Sequence, residues 1–172
     1  AWPAGRGGDP PASARYPLAS RIRSIFIEAG QGEAYSPIVT VRGEILHCPG
    51  HPNRLEAGQL LLIDAGSESP EGYAADVTRT FPVSGAWQPF QEQVHQIVLA
   101  AQRASIERCR PGAAWRDVHE AASLVLAEGL VELGLLRGGP RELVERGAHT
   151  AFFPHGLGHP LGLDVHDLRA FG

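Results

Sequence analysis

The sequence contains no methionine. A translation product begins with that residue, so the expectation is a trimmed, processed or partial chain. Cysteine is almost missing: Cys48 and Cys109 are the two present. Two thiols cannot make a disulfide scaffold, and they point to a reducing, cytoplasmic setting. No apolar run approaches the ~20 residues that span a bilayer, which excludes a membrane protein of the helical kind. No secretory apolar segment opens the chain. No basic stripe stands out, and 15 Lys+Arg against 19 Asp+Glu leave a formal net charge of −4. That balance excludes a dedicated nucleic-acid binder. There is no internal repeat and no low-complexity block beyond the first residues.

What is there suffices for a folded domain. The chain has 172 residues, 43% of them hydrophobic, which excludes disorder as its main state. At this length one domain is the default, and about two-thirds of the unfolded surface can be buried. Residues 1–19 read as a flexible lead-in rich in Gly and Pro, and 20–172 as the domain. A short helix is expected from Ser20 to Ala29, capped by Ser20 and stopped by Gly30. Ile38 to Val41 reads as a strand. Glu44 to His47 is a second short apolar run, and Cys48 to Asn53 a loop. Gln59 to Asp64 is a continuous apolar run that reads as a buried strand delivering an acid at its end. From Asp76 the chain alternates, with Asp76, Thr78 and Thr80 on one face and Val77, Arg79 and Phe81 on the other. Residues 59–83 therefore read as a β-hairpin. Two helices follow. Pro89 to Arg110 has an apolar stripe of Val94, Ile97, Val98 and Ala101, and Trp115 to Leu133 has one of Val118, Ala121, Ala122 and Val125. Gly134 stops the second. Arg141 to Gly147 reads as a further turn of helix. The tail is a Gly- and His-rich loop that runs into a strand over Leu161 to His166.

Two constellations carry chemistry. Asp64 and Asp76 sit on a hairpin whose adjacent strands bring side chains to about 5 Å. Like charges that close repel, so something positive must compensate, and a divalent metal does so. The plain alternative is a pair of ordinary strand-end and turn residues. The second constellation is His155, His159 and His166, three imidazoles in twelve residues. Gly156 and Gly158, with Pro154 and Pro160 outside them, oppose a helix there. The plain alternative is a solvated loop with incidental imidazoles. His47 by itself reads as a structural histidine, and His95 and His119 as surface residues. Cys48 next to His47 has no third partner, so a cysteine nucleophile is not supported.

Three stretches are similar to a known family: Leu61-Leu-Ile-Asp-Ala-Gly66, Gly72-Tyr-Ala-Ala-Asp-Val-Thr-Arg-Thr-Phe81 and Phe153-Pro-His-Gly-Leu-Gly-His-Pro-Leu-Gly-Leu-Asp-Val-His-Asp167. They resemble the pita-bread metallopeptidases, and among these the Xaa-Pro peptidases (aminopeptidase P and prolidase, a dipeptidase). The resemblance covers roughly residues 25–167. It implies an α+β pita-bread fold, incomplete at its C-terminal end. It implies that Asp64, Asp76 and His159 are metal ligands and that His47, His155 and His166 line the substrate site. It implies two divalent ions in a complete site, with Mn²⁺ the first choice and Co²⁺ or Zn²⁺ also suited to carboxylate and imidazole donors. The implied reaction is hydrolysis of the peptide bond before proline by a hydroxide held between the metals. The implied partner is a proline-containing peptide, with no nucleic acid and no membrane, and with room for a homodimer.

Three departures from the family pattern stand out. The two aspartates lie twelve positions apart, one more than the family pattern, which puts an insertion in the turn 67–72. Pro160 follows His159 and removes a backbone donor at the start of the expected strand. No glutamate follows His159, whereas the family uses two there. The expectation is thus impaired activity. The alternative is a pita-bread module that binds peptide or protein without catalysis.

Overall fold

The computed structural model describes residues 15–46 and 54–168. Ten short elements follow one another: α1 (Arg15–Glu28), β1 (Gly32–Glu33), β2 (Ile38–Thr40), β3 (Leu60–Ala65), β4 (Ser67–Glu68), β5 (Val77–Pro82), α2 (Pro89–Arg108), α3 (Trp115–Glu132), α4 (Pro140–Glu145) and a 3₁₀ turn (Ala148–Ala151). They form two compact units. One holds the described residues up to Trp87 together with those from His159, and the other is Gln88–Gly158.

In the first unit, β2, β3 and β5 make an antiparallel sheet in the order β2-β3-β5. The expected hairpin is its centre: Leu60 pairs with Pro82, Leu62 with Thr80 and Asp64 with Thr78. The twelve-residue spacing is taken up by β4, which pairs with β1 in a second small sheet. Strand alternation gives the main sheet two unlike faces. Val39, Leu61 and Ile63 share one face, where Leu55, Leu18, Ala19 and Ile22 pack against them. The other face carries Asp64, Thr78 and Thr80.

Helix α1 starts at Arg15, five residues before Ser20, the expected cap. Pro17 does not prevent this. It stands in the first turn, where its missing N–H would have had no partner. Gly30 ends the helix at a positive φ of 71°, as expected. Residues 43–46, which include most of the second short apolar run, form a turn, with Ile45 N–H donating to the Arg42 carbonyl at 3.0 Å. The expected strand at Leu161–His166 is also missing. No described strand lies alongside to pair with it: Ala74 N–H donates to the Gly162 carbonyl at 2.8 Å, and further bonds close locally. Asp167 N–H reaches the Pro160 carbonyl and Gly162 N–H the Asp164 carbonyl, both at 3.2 Å.

In the second unit, Pro89 fills the first position of α2 and Gln91 Oε1 accepts the Gln88 N–H at 3.1 Å. Helices α2 and α3 pack together, with Ile97 near the middle of α2 against Gly129 late in α3. A Cβ on Gly129 would stand 2.5 Å from the Ile97 side chain, so the close approach of the helices needs glycine there. The buried layer includes Ala101, Ser105, Val118, Ala122, Ser123, Ala127, Leu130, Leu143 and His149. Val98, placed in the core by its spacing, is 53% exposed. The small Ala101 and Ser105 turn inward instead, and Ser105 Oγ donates to the Ala101 carbonyl at 2.7 Å.

Candidate metal centre

The acidic face of the main sheet builds the site. Asp64 lies at the end of β3 opposite Thr78, and Asp76 stands two residues further along the same side of the partner chain. That diagonal relation brings carboxylates together on one face. Gly66 makes the corner feasible. A Cβ there would stand 1.6 Å from the Ala75 carbonyl oxygen and 2.9 Å from the Tyr35 ring. The tyrosine lies in that gap. Its hydroxyl is 2.5 Å from Asp64 Oδ1 and 2.8 Å from Asp76 Oδ1. One O–H thus serves two carboxylates. Burial, then the two acceptors, push the Tyr35 phenol far above the ordinary tyrosine range, so it stays a neutral donor.

His159 adds the next layer. Its Nδ1 is 2.9 Å from the Pro160 carbonyl oxygen, and its Nε2 is 3.1 Å from Asp76 Oδ2. A neutral imidazole carries one N–H. If Nδ1–H donates to the carbonyl, Nε2 turns a lone pair toward a carboxylate. A second proton or a cation between Nε2 and Asp76 resolves that opposition. Nδ1–H to a backbone carbonyl with Nε2 facing an ion is the arrangement common to metal-bound histidines. His166 packs edge-on against His159, with ring centroids 4.2 Å apart. Donor atoms of Asp76, His159 and His166 all lie within 4.8 Å of one another. The donor set suits a divalent ion.

The structure therefore brings together Asp64, Asp76, His159 and His166. His155 belongs to the helical unit, where it is exposed, sits edge-on to Phe153 at 5.0 Å, and has Nδ1 2.9 Å from the Gly156 carbonyl. His47 lies outside the described residues. Sequence reasoning missed Tyr35, since nothing in Ala34-Tyr-Ser-Pro37 marks a residue that reaches acids 29 and 41 positions away. It also misplaced His119 as a surface residue. That ring stacks on Phe153, and its Nδ1 accepts the Leu157 N–H at 3.2 Å.

Comparison with known proteins agrees with this chemistry. Residues 12–171 match metallopeptidase family M24, and the chain belongs to that family. It is 43% identical over 150 residues to a probable Xaa-Pro aminopeptidase of Metarhizium robertsii, covering 86% of this chain and 29% of the relative. It is 41% identical over 159 residues to the Xaa-Pro aminopeptidase of Escherichia coli, covering 92% of this chain and 33% of the relative. Among solved structures it is similar to Pseudomonas aeruginosa aminopeptidase PepP, with a TM-score of 0.88 and 39% identity over 92% of this chain and 36% of that one. The chain thus spans about a third of the length of the curated relatives it matches. The fold is the α+β pita-bread fold, of which the chain represents part.

Proposed function

We propose that this chain carries the metal-binding face of an Xaa-Pro aminopeptidase. The carrying observation is His159, set between two oxygens beside two aspartates that share one hydroxyl. Kinship with the Escherichia coli Xaa-Pro aminopeptidase supports the substrate class, and aminopeptidase rather than dipeptidase is the activity we assign. Asp64, Asp76 and His159 hold a divalent ion, with Mn²⁺ the expected species and Zn²⁺ or Co²⁺ alternatives. When bound, the ion supplies Lewis acidity toward the carbonyl before proline.

The protein's own groups do the rest. Tyr35 holds both carboxylates in one orientation through its hydroxyl. The Pro160 carbonyl fixes the His159 ring through Nδ1. His166, exposed beside His159, is placed to hand protons to and from a peptide, and His47 and His155 serve the same substrate region. The free, exposed thiol of Cys109 fits a reducing cytoplasm. Among the described residues no helix is long and apolar enough to cross a membrane.

Equilibrium dialysis with Mn²⁺ or Zn²⁺ tests the reading. One ion per 172-residue chain is expected, lost in His159→Ala, because the donors of Asp76, His159 and His166 form one cluster. Two tightly held ions would mean that the ligand set is wrong. An Xaa-Pro cleavage assay supplies the second arm. A chain that binds no divalent ion, and whose cleavage survives His159→Ala, would overturn the function.

A further inference from the structure

The segment Pro154–Gly158 has no regular structure, and two of its five residues are glycine. Such a segment is held only by what touches it. Phe152 and Phe153 donate their N–H groups to the His149 carbonyl, both at 3.0 Å, which anchors the segment's entrance. Beyond that point, among the described residues, one hydrogen bond ties the backbone of 155–158 to another element. It is Leu157 N–H to His119 Nδ1, at 3.2 Å. A backbone N–H can only donate, so this bond keeps the His119 proton on Nε2.

Two further contacts come from the same side of α3. The His119 ring stacks on Phe153 with centroids 5.4 Å apart and planes 21° apart, and Phe153 in turn meets the edge of His155. One helical turn earlier, the half-exposed Trp115 lies beside Gly158. A Cβ at 158 would stand 3.2 Å from Trp115 Cζ2 and 3.4 Å from Cη2. Residues 115 and 119 are i and i+4, so they project from one face of the helix. Ser123, a further turn along, is buried and donates to the His119 carbonyl at 3.0 Å.

We infer that Trp115 and His119 are positioning residues, a two-point clamp by which α3 fixes the Pro154–Gly158 loop and with it the direction of His155. The inference rests on the proposed role of His155 at the substrate. It assigns the histidine of α3 a duty that its place on a predicted polar helix face concealed.

The test is amide exchange in the ¹⁵N-labelled 172-residue chain, with Leu157 read against Ala122 in the α3 core. His119→Phe keeps a ring on Phe153 and removes the acceptor. His119→Asn removes the ring and leaves an oxygen where Nδ1 stood. Leu157 should exchange about tenfold faster in His119→Phe and within about threefold of the parent in His119→Asn, the scale of one hydrogen bond. Trp115→Ala should speed exchange at Gly156 and Gly158 while Ala122 is unchanged. Equal Leu157 rates in the parent and His119→Phe would overturn the clamp, as would a Leu157 change no larger than that at Ala122. In a form that cleaves Xaa-Pro peptides, His119→Phe should lower kcat more than it raises KM, and His119→Asn should restore kcat. If exchange behaves as expected but His155→Ala leaves cleavage intact, the clamp stands and the role given to His155 falls.

Discussion

The cluster around His119 in the helical unit and the acid cluster of the sheet unit treat their polar groups in opposite ways. In the helical unit, His119 has one acceptor nitrogen and one donor that needs it, and Ser105 and Ser123 each donate to a carbonyl one turn back. Supply matches demand at these groups, whereas the buried His149 Nδ1 has no partner among the described residues. In the sheet unit, two carboxylates face one phenolic proton, and a third contact sets an imidazole nitrogen against a carboxylate oxygen. Acceptors outnumber protons there. A matched cluster holds a shape, whereas clustered acceptors attract positive charge.

Four changes break or sharpen that contrast. The largest effect is expected from Gly66→Ala. Its Cβ would collide with backbone, at 1.6 Å from the Ala75 oxygen, rather than with a movable side chain. A loss of about 3 kcal/mol is expected in chemical denaturation, with the sheet's spectroscopic signal lost first. Next comes Asp76→Asn, which removes the charge that His159 faces. Calorimetric titration with Mn²⁺ should show affinity reduced by about a hundredfold, at nearly unchanged stability. Tyr35→Phe keeps the ring over Gly66 and deletes the shared proton. Metal affinity should fall by about tenfold, because the carboxylates lose their orienting donor while remaining in place. A Tyr35→Phe chain that binds as tightly as the parent would show that the hydroxyl only fills space. The smallest effect is expected from Arg146→Ala on α4, whose partner Glu142 is equally exposed. Melting should report less than about 0.5 kcal/mol.

Much of the sheet unit was legible because its logic is local. Alternation placed Asp76 and Thr78 on one face, the four-residue apolar run 60–63 placed Asp64 at a strand end, and a hairpin is the simplest way to join them. Helices α2 and α3 were legible from periodicity, and Gly134 marked the stop of α3 with a φ of 72°. What resisted reading depends on contacts between distant positions. Tyr35 acquires its meaning only from acids on two later segments, and His119 only from a loop 38 residues on. The strand expected at Leu161–His166 failed for a related reason, since a strand exists by virtue of a ladder with its neighbour, and one Ala74–Gly162 bond does not make a ladder. Val98 failed because spacing gives a helix a stripe without saying which flank of that stripe faces its partner.

The order of the units along the chain has a kinetic corollary. The helical unit is one uninterrupted stretch, Gln88–Gly158, and its principal contacts join neighbouring helices. The sheet unit is split, and Ala74 N–H meets the Gly162 carbonyl at 2.8 Å across that interruption. Short-range contacts close quickly and long loops slowly. The helical hairpin should therefore mature first, while the acids of the sheet wait for His159 and His166. Pulse-labelled refolding would register this as early protection of α2 and α3 amides and late protection of Ala74. Simultaneous protection would mean that the chain condenses as one nucleus. During that wait the paired aspartates have neither imidazole beside them, so a divalent ion added at the start of refolding should speed the late phase and leave the early one alone.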